Sequence, residues 1–235
     1  MSGQTYINFP IQLVHGFLTN KEAVMKGWLY YHLFNEATKL HTFRKDEEAA
    51  LEEAAANNGI SLGIVRTVRQ EGSNLFYKYQ PSQNPITGIT KEMFFEYRDE
   101  VKTEKEYLTL LAFLALKSIL GNKPYIKLGN DFFISRIDGH LKKVAPGKIS
   151  KEVSRWSSDY KLQRLKSEMI QSWGLVHYGV KTRGFYISFE LNLFQLAEVA
   201  EQKRREGNAI YQEQKRIENE ARNAAIMKLF NPIEQ

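Results

Sequence analysis

Apolar residues recur at steps of three and four over most of the chain, and alternate closely in a few short stretches. The first spacing is that of a helix with one buried face, the second that of a strand. Between Asn20 and about Leu40, Val24, Met25, Trp28, Leu29, Tyr31, Leu33 and Phe34 trace the buried stripe of a long helix. Asp46 to Asn57 predicts a shorter, Ala-rich helix with carboxylates in its first turn, where the helix dipole favours them. Thr90 is placed to cap a helix from Lys91 to Glu100 that turns Met93, Phe94 and Tyr97 inward. Thr103-Glu104-Lys105-Glu106 is a capping box, and Tyr107 to Leu116 behind it is apolar nearly all round. That predicts an enclosed central helix, ending at Gly121-Asn122-Lys123-Pro124. Tyr6 to Ile11 and Tyr125 to Leu128 read as short extended segments, and Ile11 to Leu18 as a turn of helix. Asn130 reads as the cap of a helix from Asp131 to Ile137, with Phe132, Phe133 and Ile137 inward.

The most informative stretch runs from Asp159 to Leu191. Leu162, Leu165, Met169 and Trp173 line one side of a helix that Ser158 or Asp159 is placed to cap. Gly174 stands where a helix ends in a left-handed residue. Two β-branched and aromatic runs follow, Leu175 to Val180 and Phe185 to Leu191, around the basic tip Lys181-Thr182-Arg183-Gly184. A helix, a Gly stop and a hairpin with a cationic apex form the reading half of a winged helix. From Thr103 the predicted order is helix, short strand, helix, basic loop, helix, hairpin, which is winged-helix order. The loop from Gly139 to Ser157 is long for that arrangement. It reads either as an ordered insert or as a flexible basic arm.

A second unit lies upstream. In Ala54 to Arg69, small Ala55 lets two helices cross, Gly59 makes a left-handed turn, and Ile60, Val65 and Val68 fill the wedge between them. This resembles the helix-turn-helix pattern of bacterial regulators, and the resemblance implies that Ser61, Arg66 and Arg69 face a DNA groove. An ordinary helical hairpin with a Gly turn is the other reading of these residues. Glu71-Gly72-Ser73-Asn74 is expected to end the unit, Leu75 to Tyr79 continues as helix or strand, and Gln80 to Gly88 has the composition of a linker. Asn192 to Phe230 reads as one long helix, with Gly207-Asn208 the place for a break. Ile210, Ile217 and Ala224 recur at steps of seven. That tail either pairs in a homo-oligomer or stays solvated.

The expected fold class is therefore mainly α with a short β-hairpin: tandem helix-turn-helix or winged-helix-like units and a long C-terminal helix. The expected division is a helical, helix-turn-helix-like domain over 1–80, a linker and connecting helix over 81–102, a winged-helix domain over 103–191, and the C-terminal helix over 192–235.

Composition narrows the chemistry. The chain has no cysteine, which removes disulfides, thiolate catalysis and Cys-based zinc sites. No apolar run is long enough for a bilayer and no leader pattern opens the chain, so no membrane partner and a cytoplasmic location are expected. The formal charge is +6. Between His140 and Lys166 stand Lys142, Lys143, Lys148, Lys151, Arg155, Lys161, Arg164 and Lys166, against only Glu152 and Asp159. This window alone holds an excess equal to that of the whole chain.

Pro146-Gly147-Lys148-Ile149 is not a P-loop, the carboxylates form no catalytic pair, and no two of the five His have metal-ligand spacing with a Tyr nucleophile. No cofactor, no metal and no enzymatic activity are expected. Duplex DNA meets the positive requirements. Lys161, Gln163, Arg164 and Ser167 fall away from the Leu-Met-Trp stripe, where Arg and Gln can pair with purine edges. Lys181 and Arg183 would lie at the adjacent minor groove, and Lys142, Lys143, Lys148 and Lys151 would neutralise phosphates.

Two helix-turn-helix-like units before a long final helix resemble plasmid replication initiators with tandem winged helices. Ser118-Ile119-Leu120-Gly121, Trp173-Gly174-Leu175-Val176 and Arg183-Gly184-Phe185-Tyr186-Ile187-Ser188 resemble uncharacterised mobile-element proteins of gut bacteria. The resemblance implies a double-stranded DNA partner in replication, transfer or transcription control. The alternative is a protein-interaction module on a winged-helix scaffold, and which of the two candidate helices reads bases is open.

Overall fold

The computed structural model describes residues 5–61, 65–179 and 184–230, the last four as backbone only. The chain enters as strand β1 (Tyr6–Pro10), makes a short 3-10 turn at Ile11–Val14, and starts α1 (Lys21–Ala37). Asn20 caps α1 by accepting from the Ala23 N–H at 3.1 Å. Trp28 of α1, wholly buried, lies between Phe9 and Phe17 with ring centroids 4.3 and 5.2 Å away. Its indole N–H donates to the Leu13 carbonyl at 2.8 Å. One side chain thus joins strand, turn and helix, and it satisfies its only polar atom in doing so.

Helix α2 (Glu47–Asn57) is capped by Asp46, which accepts from Glu48 and Ala49 N–H. The left-handed Gly59 turns the chain toward α3 (Val65–Lys78). Leu33 and Phe34 of α1 form a small core with Leu51 and Ala55 of α2, Ile60 after the turn and Val68 of α3. The stop expected at Glu71-Gly72-Ser73-Asn74 does not occur, and α3 runs through it to Lys78. A Cβ on Gly72 would stand 2.7 Å from the Tyr30 carbonyl and 3.0 Å from the Phe34 Cβ. Here glycine lets α1 and α3 touch and is not a helix terminator.

Residues with linker composition instead enter strand β2 (Ile86–Thr90), which pairs antiparallel with β1 from Tyr6↔Thr90 to Pro10↔Ile86. Thr87 and Ile89 are its buried positions, and the Thr87 hydroxyl donates to the Leu114 carbonyl at 2.9 Å. Thr90 then caps α4 (Lys91–Asp99). One core cluster includes residues from Ile7 and Trp28 to Ile187.

The Thr103/Glu106 capping box starts α5 (Glu104–Leu120), buried along most of its length and stopped at left-handed Gly121. Around it lie β3 (Ile126–Leu128), α6 (Asn130–Ile137), the short α7 (Lys151–Ser154), α8 (Asp159–Ser172), β4 (Val176–Gly179) and β5 (Phe185–Ser188). The strands pair antiparallel in the order β3-β5-β4, with β5 in the centre and wholly buried. The order helix, short strand, helix, insert, helix, paired strands expected from Thr103 onward is present. The final helix, α9 (Leu193–Phe230), continues through Gly207 without a break. Leu196 and Ala200 seat it against Tyr186, and Tyr178 donates to Glu201 at 3.1 Å. Beyond this seat α9 is exposed as far as Ile226.

Gly72→Ala is expected to destabilise the fold by about 1–3 kcal/mol, because the methyl meets backbone that cannot swing aside. That loss outweighs the roughly 1 kcal/mol of helix propensity that Ala otherwise gains over Gly. Urea unfolding of the two proteins checks it, and equal midpoints would refute the close α1–α3 contact.

Candidate nucleic-acid interface

Helix α8 is built to show one face. Leu162, Leu165 and Met169 are buried against the core, while Tyr160, Lys161, Gln163, Arg164, Ser167 and Gln171 are exposed. Asp159 is its first residue and Ser158 its N-cap, but neither side chain makes the capping bond expected of it. Asp159 instead accepts from the Asn130 amide at 3.1 Å. Asn130 in turn is the first residue of α6 and not its cap, a place taken by Gly129. Its Oδ1 accepts from the Lys166 ammonium at 2.9 Å.

Lys166 is only 3% exposed, and its Nζ lies 3.5 Å from the centroid of the Phe185 ring. Burial lowers its pKa to about 8, with Asp159 pulling the other way. One of the eight basic residues in the charged window therefore points inward. Next to it His177 is pushed down to about 4, first by burial and then by the Lys166 charge, and its Nε2 is buried without a partner.

The long loop after α6 is an ordered insert. Asp138, almost fully buried, accepts from the Ser150 N–H at 2.9 Å, the Ser150 hydroxyl at 2.5 Å and His140 at 3.2 Å. His15 approaches the same carboxylate at 3.6 Å. Gly139 (φ +85°) lies so close to Ile11, Gln12 and His15 that a Cβ would meet their backbone at 3.3 Å. Arg136 reaches under the loop to the Leu141 carbonyl at 2.9 Å. With its polar groups tied inward, the insert leaves its lysines outside. A cavity of about 560 Å³ separates it from the start of α8, lined among others by Lys143, Pro146, Ile149, Ser157, Asp159 and Leu162.

The candidate site residues fall into three groups. Lys142, Lys148, Lys151, Lys161 and Arg164, with Arg155 beside them, are exposed and have no ion pair among the described residues. Lys161 is steered by the Arg155 carbonyl at 2.6 Å and the Trp156 ring, and Arg164 leans over Tyr160 at 5.8 Å. Gln163 and Ser167 share that exposed face, the Ser167 hydroxyl donating back to the Gln163 carbonyl. Lys143 belongs to a second group, since Asp131 pairs with it at 2.5 Å. Arg69 joins it there, held by Glu47 at 2.7 Å and Glu48 at 3.4 Å in the first turn of α2. Ser61 and Arg66 are exposed on the first unit. The third group, Lys181 and Arg183, lies outside the described residues.

Sequence reasoning missed Tyr160, 71% exposed in the first turn of α8, and Tyr77, 62% exposed near the end of α3. The outward face of α8 reads Tyr160, Arg164, Ser167, Gln171; that of α3 reads Arg66, Gln70, Ser73, Tyr77. Both sets step by four, three and four residues and contain the same four residue types. That spacing was available in the sequence once the opposite, apolar stripe was drawn. Among the described residues no cluster of three or more His, Asp or Glu is arranged to hold a metal, and no helix is long and apolar enough to cross a membrane. Compared with family models, with curated proteins and with solved structures, the chain matches none.

The buried pair gives a pH signature. The unfolded chain protonates His177 near 6.5 but the folded one only near 4, so the unfolded state binds more protons between these values and stability falls as pH drops through that window. Lys166 loses its proton near 8 when folded and near 10.5 when unfolded, so stability rises with pH from 8 toward 10.5. Each effect has a ceiling of about 3 kcal/mol. Unfolding free energies across the pH range are expected to lose the acid slope in His177→Gln and the alkaline rise in Lys166→Met. Slopes unchanged in the variants would remove both assignments.

Proposed function

We propose that the protein binds double-stranded DNA sequence-specifically, as a replication initiator or regulator of a mobile element, and that it is not an enzyme. The observation that carries this reading is the run of exposed cations without an ion pair among the described residues, Lys142, Lys148, Lys151, Arg155, Lys161 and Arg164, on the insert and on α8. Like charges close along the chain repel one another, and a polyanion relieves that repulsion while releasing its counterions. Arg164, Gln163 and Ser167 supply hydrogen-bonding groups for base edges on the same helix. The first unit offers α3 as a second reading helix, with Arg66 and Gln70 outward. Because Arg69 is occupied by Glu47 and Glu48, α8 is the stronger choice for the main contact.

Affinity for duplex DNA is expected to fall steeply as salt rises, with a log–log slope of roughly −4 to −5 if five or so phosphates are neutralised. Lys161→Ala with Arg164→Ala should weaken binding at least ten-fold at fixed salt. Fluorescence anisotropy across a salt series measures both. No affinity for any duplex at low salt would end the DNA reading, and undiminished binding by the double variant would move the contact elsewhere.

A second reading, assembly through the C-terminal helix, is favoured by one observation. α9 is about 57 Å long, and past its seat it carries Ile210, Tyr211 and Ile217 exposed. If those residues pair in a homo-oligomer, analytical ultracentrifugation of Ile210→Glu with Ile217→Glu will show a smaller species than the native chain. Identical sedimentation would refute pairing through them.

A further inference from the structure

We propose that Tyr160 sets part of the base preference by packing its ring on the 5-methyl group of a thymine in the major groove, within two base pairs of a guanine taken by Arg164. This rests on the duplex-DNA reading above and adds a ligand group and a residue to it.

Tyr160 is unusual among the apolar side chains of α8. It sits nine positions from the fully buried Met169, two and a half turns at about 3.6 residues each, so it points directly away from the core. It is 71% exposed, and its hydroxyl makes no hydrogen bond among the described residues. The ring contact the structure gives it is Arg164, whose guanidinium lies 5.8 Å from the ring centroid. That stacking holds both side chains on one side of the helix and leaves the far face and edge of the ring open.

Its surroundings select the occupant. Lys161, the next residue on α8, and Arg155, whose carbonyl accepts from the Lys161 ammonium at 2.6 Å, are exposed and have no ion pair among the described residues, so an anionic backbone is favoured near this end of the helix. In the major groove the thymine methyl is the apolar group by which an aromatic edge can tell bases apart, and O6 and N7 of guanine are the pair that a guanidinium takes. Residues four apart on a helix are separated by about 6 Å along its axis. That is roughly two base steps of about 3.4 Å each, so the two contacts fall on neighbouring or next-neighbouring pairs. The first turn of a reading helix is also the part that comes closest to base edges.

The test starts from a duplex recovered with the wild-type chain from a random library at physiological salt. Each thymine of that duplex is replaced singly by deoxyuridine, which removes only the methyl. At one position, within two base pairs of a guanine whose exchange abolishes preference, wild-type affinity should fall about 3- to 10-fold. Tyr160→Ala should bind the thymine and deoxyuridine duplexes equally, while Tyr160→Phe should keep the discrimination because the ring and not the hydroxyl makes the contact. Both variants alter an exposed side chain, and unchanged thermal unfolding will verify their fold. A wild-type chain indifferent to every methyl, or a Tyr160→Ala variant that still discriminates, overturns the proposal while DNA binding stands. If no duplex is enriched at all, the DNA reading beneath it falls as well.

Discussion

Lys166 carries its ammonium into the seam between α6, α8 and β5, where it forms no ion pair with any described carboxylate. Taking a charge out of water is costly unless its surroundings replace the hydration. Here the replacement comes from two directions: the Asn130 carbonyl oxygen on α6 and the face of the Phe185 ring on β5. A charge-assisted hydrogen bond contributes about 1.5–3 kcal/mol and a desolvated cation–π contact about 2, so the ammonium is held only where both partners reach it. That requirement sets the rotation of α8 about its own axis. A rotation of one position would expose Lys166 and turn Ser167 inward, with Tyr160 and Arg164 swung off the outward face.

A second buried charge fixes the insert in the same manner. Asp138 is satisfied by Ser150 and His140 from the insert and approached by His15 from the first half of the chain. Gly139 allows that part of the backbone to lie directly on the turn after β1. Ser150 and His140 are thereby directed to the Asp138 carboxylate. Apart from Lys143, which meets Asp131, the insert's cations are left facing outward. The positive surface is therefore a consequence of how the insert is tied down as much as of its composition.

The first half shows how local composition can mislead. Gly72 among Glu71, Ser73 and Asn74 has the look of a helix end, yet α1 occupies the space where its side chain would be. Of residues 80–88, which have the composition of a tether, the last three open β2, whose buried Thr87 and Ile89 alternate inward as the strand pairs with β1. In both places the deciding partner is remote in sequence: Tyr30 for the glycine, Tyr6 to Pro10 for the strand.

The sequence by itself determined the helices with uninterrupted periodicity, the Thr90 and Thr103 caps, the Gly59, Gly121 and Gly174 turns, and the exposed face of α8. These depend on residues within one or two turns of each other, so their spacing along the chain is their spacing in space. Only the tertiary structure decided that Lys166 is buried, that Asn130 joins two helices instead of capping one, that Arg69 is already paired, and that Tyr160 stays exposed beside Arg164 in the first turn of α8. Whether a charge or a ring meets water or a partner depends on which distant segments fold over it, and no local periodicity carries that information.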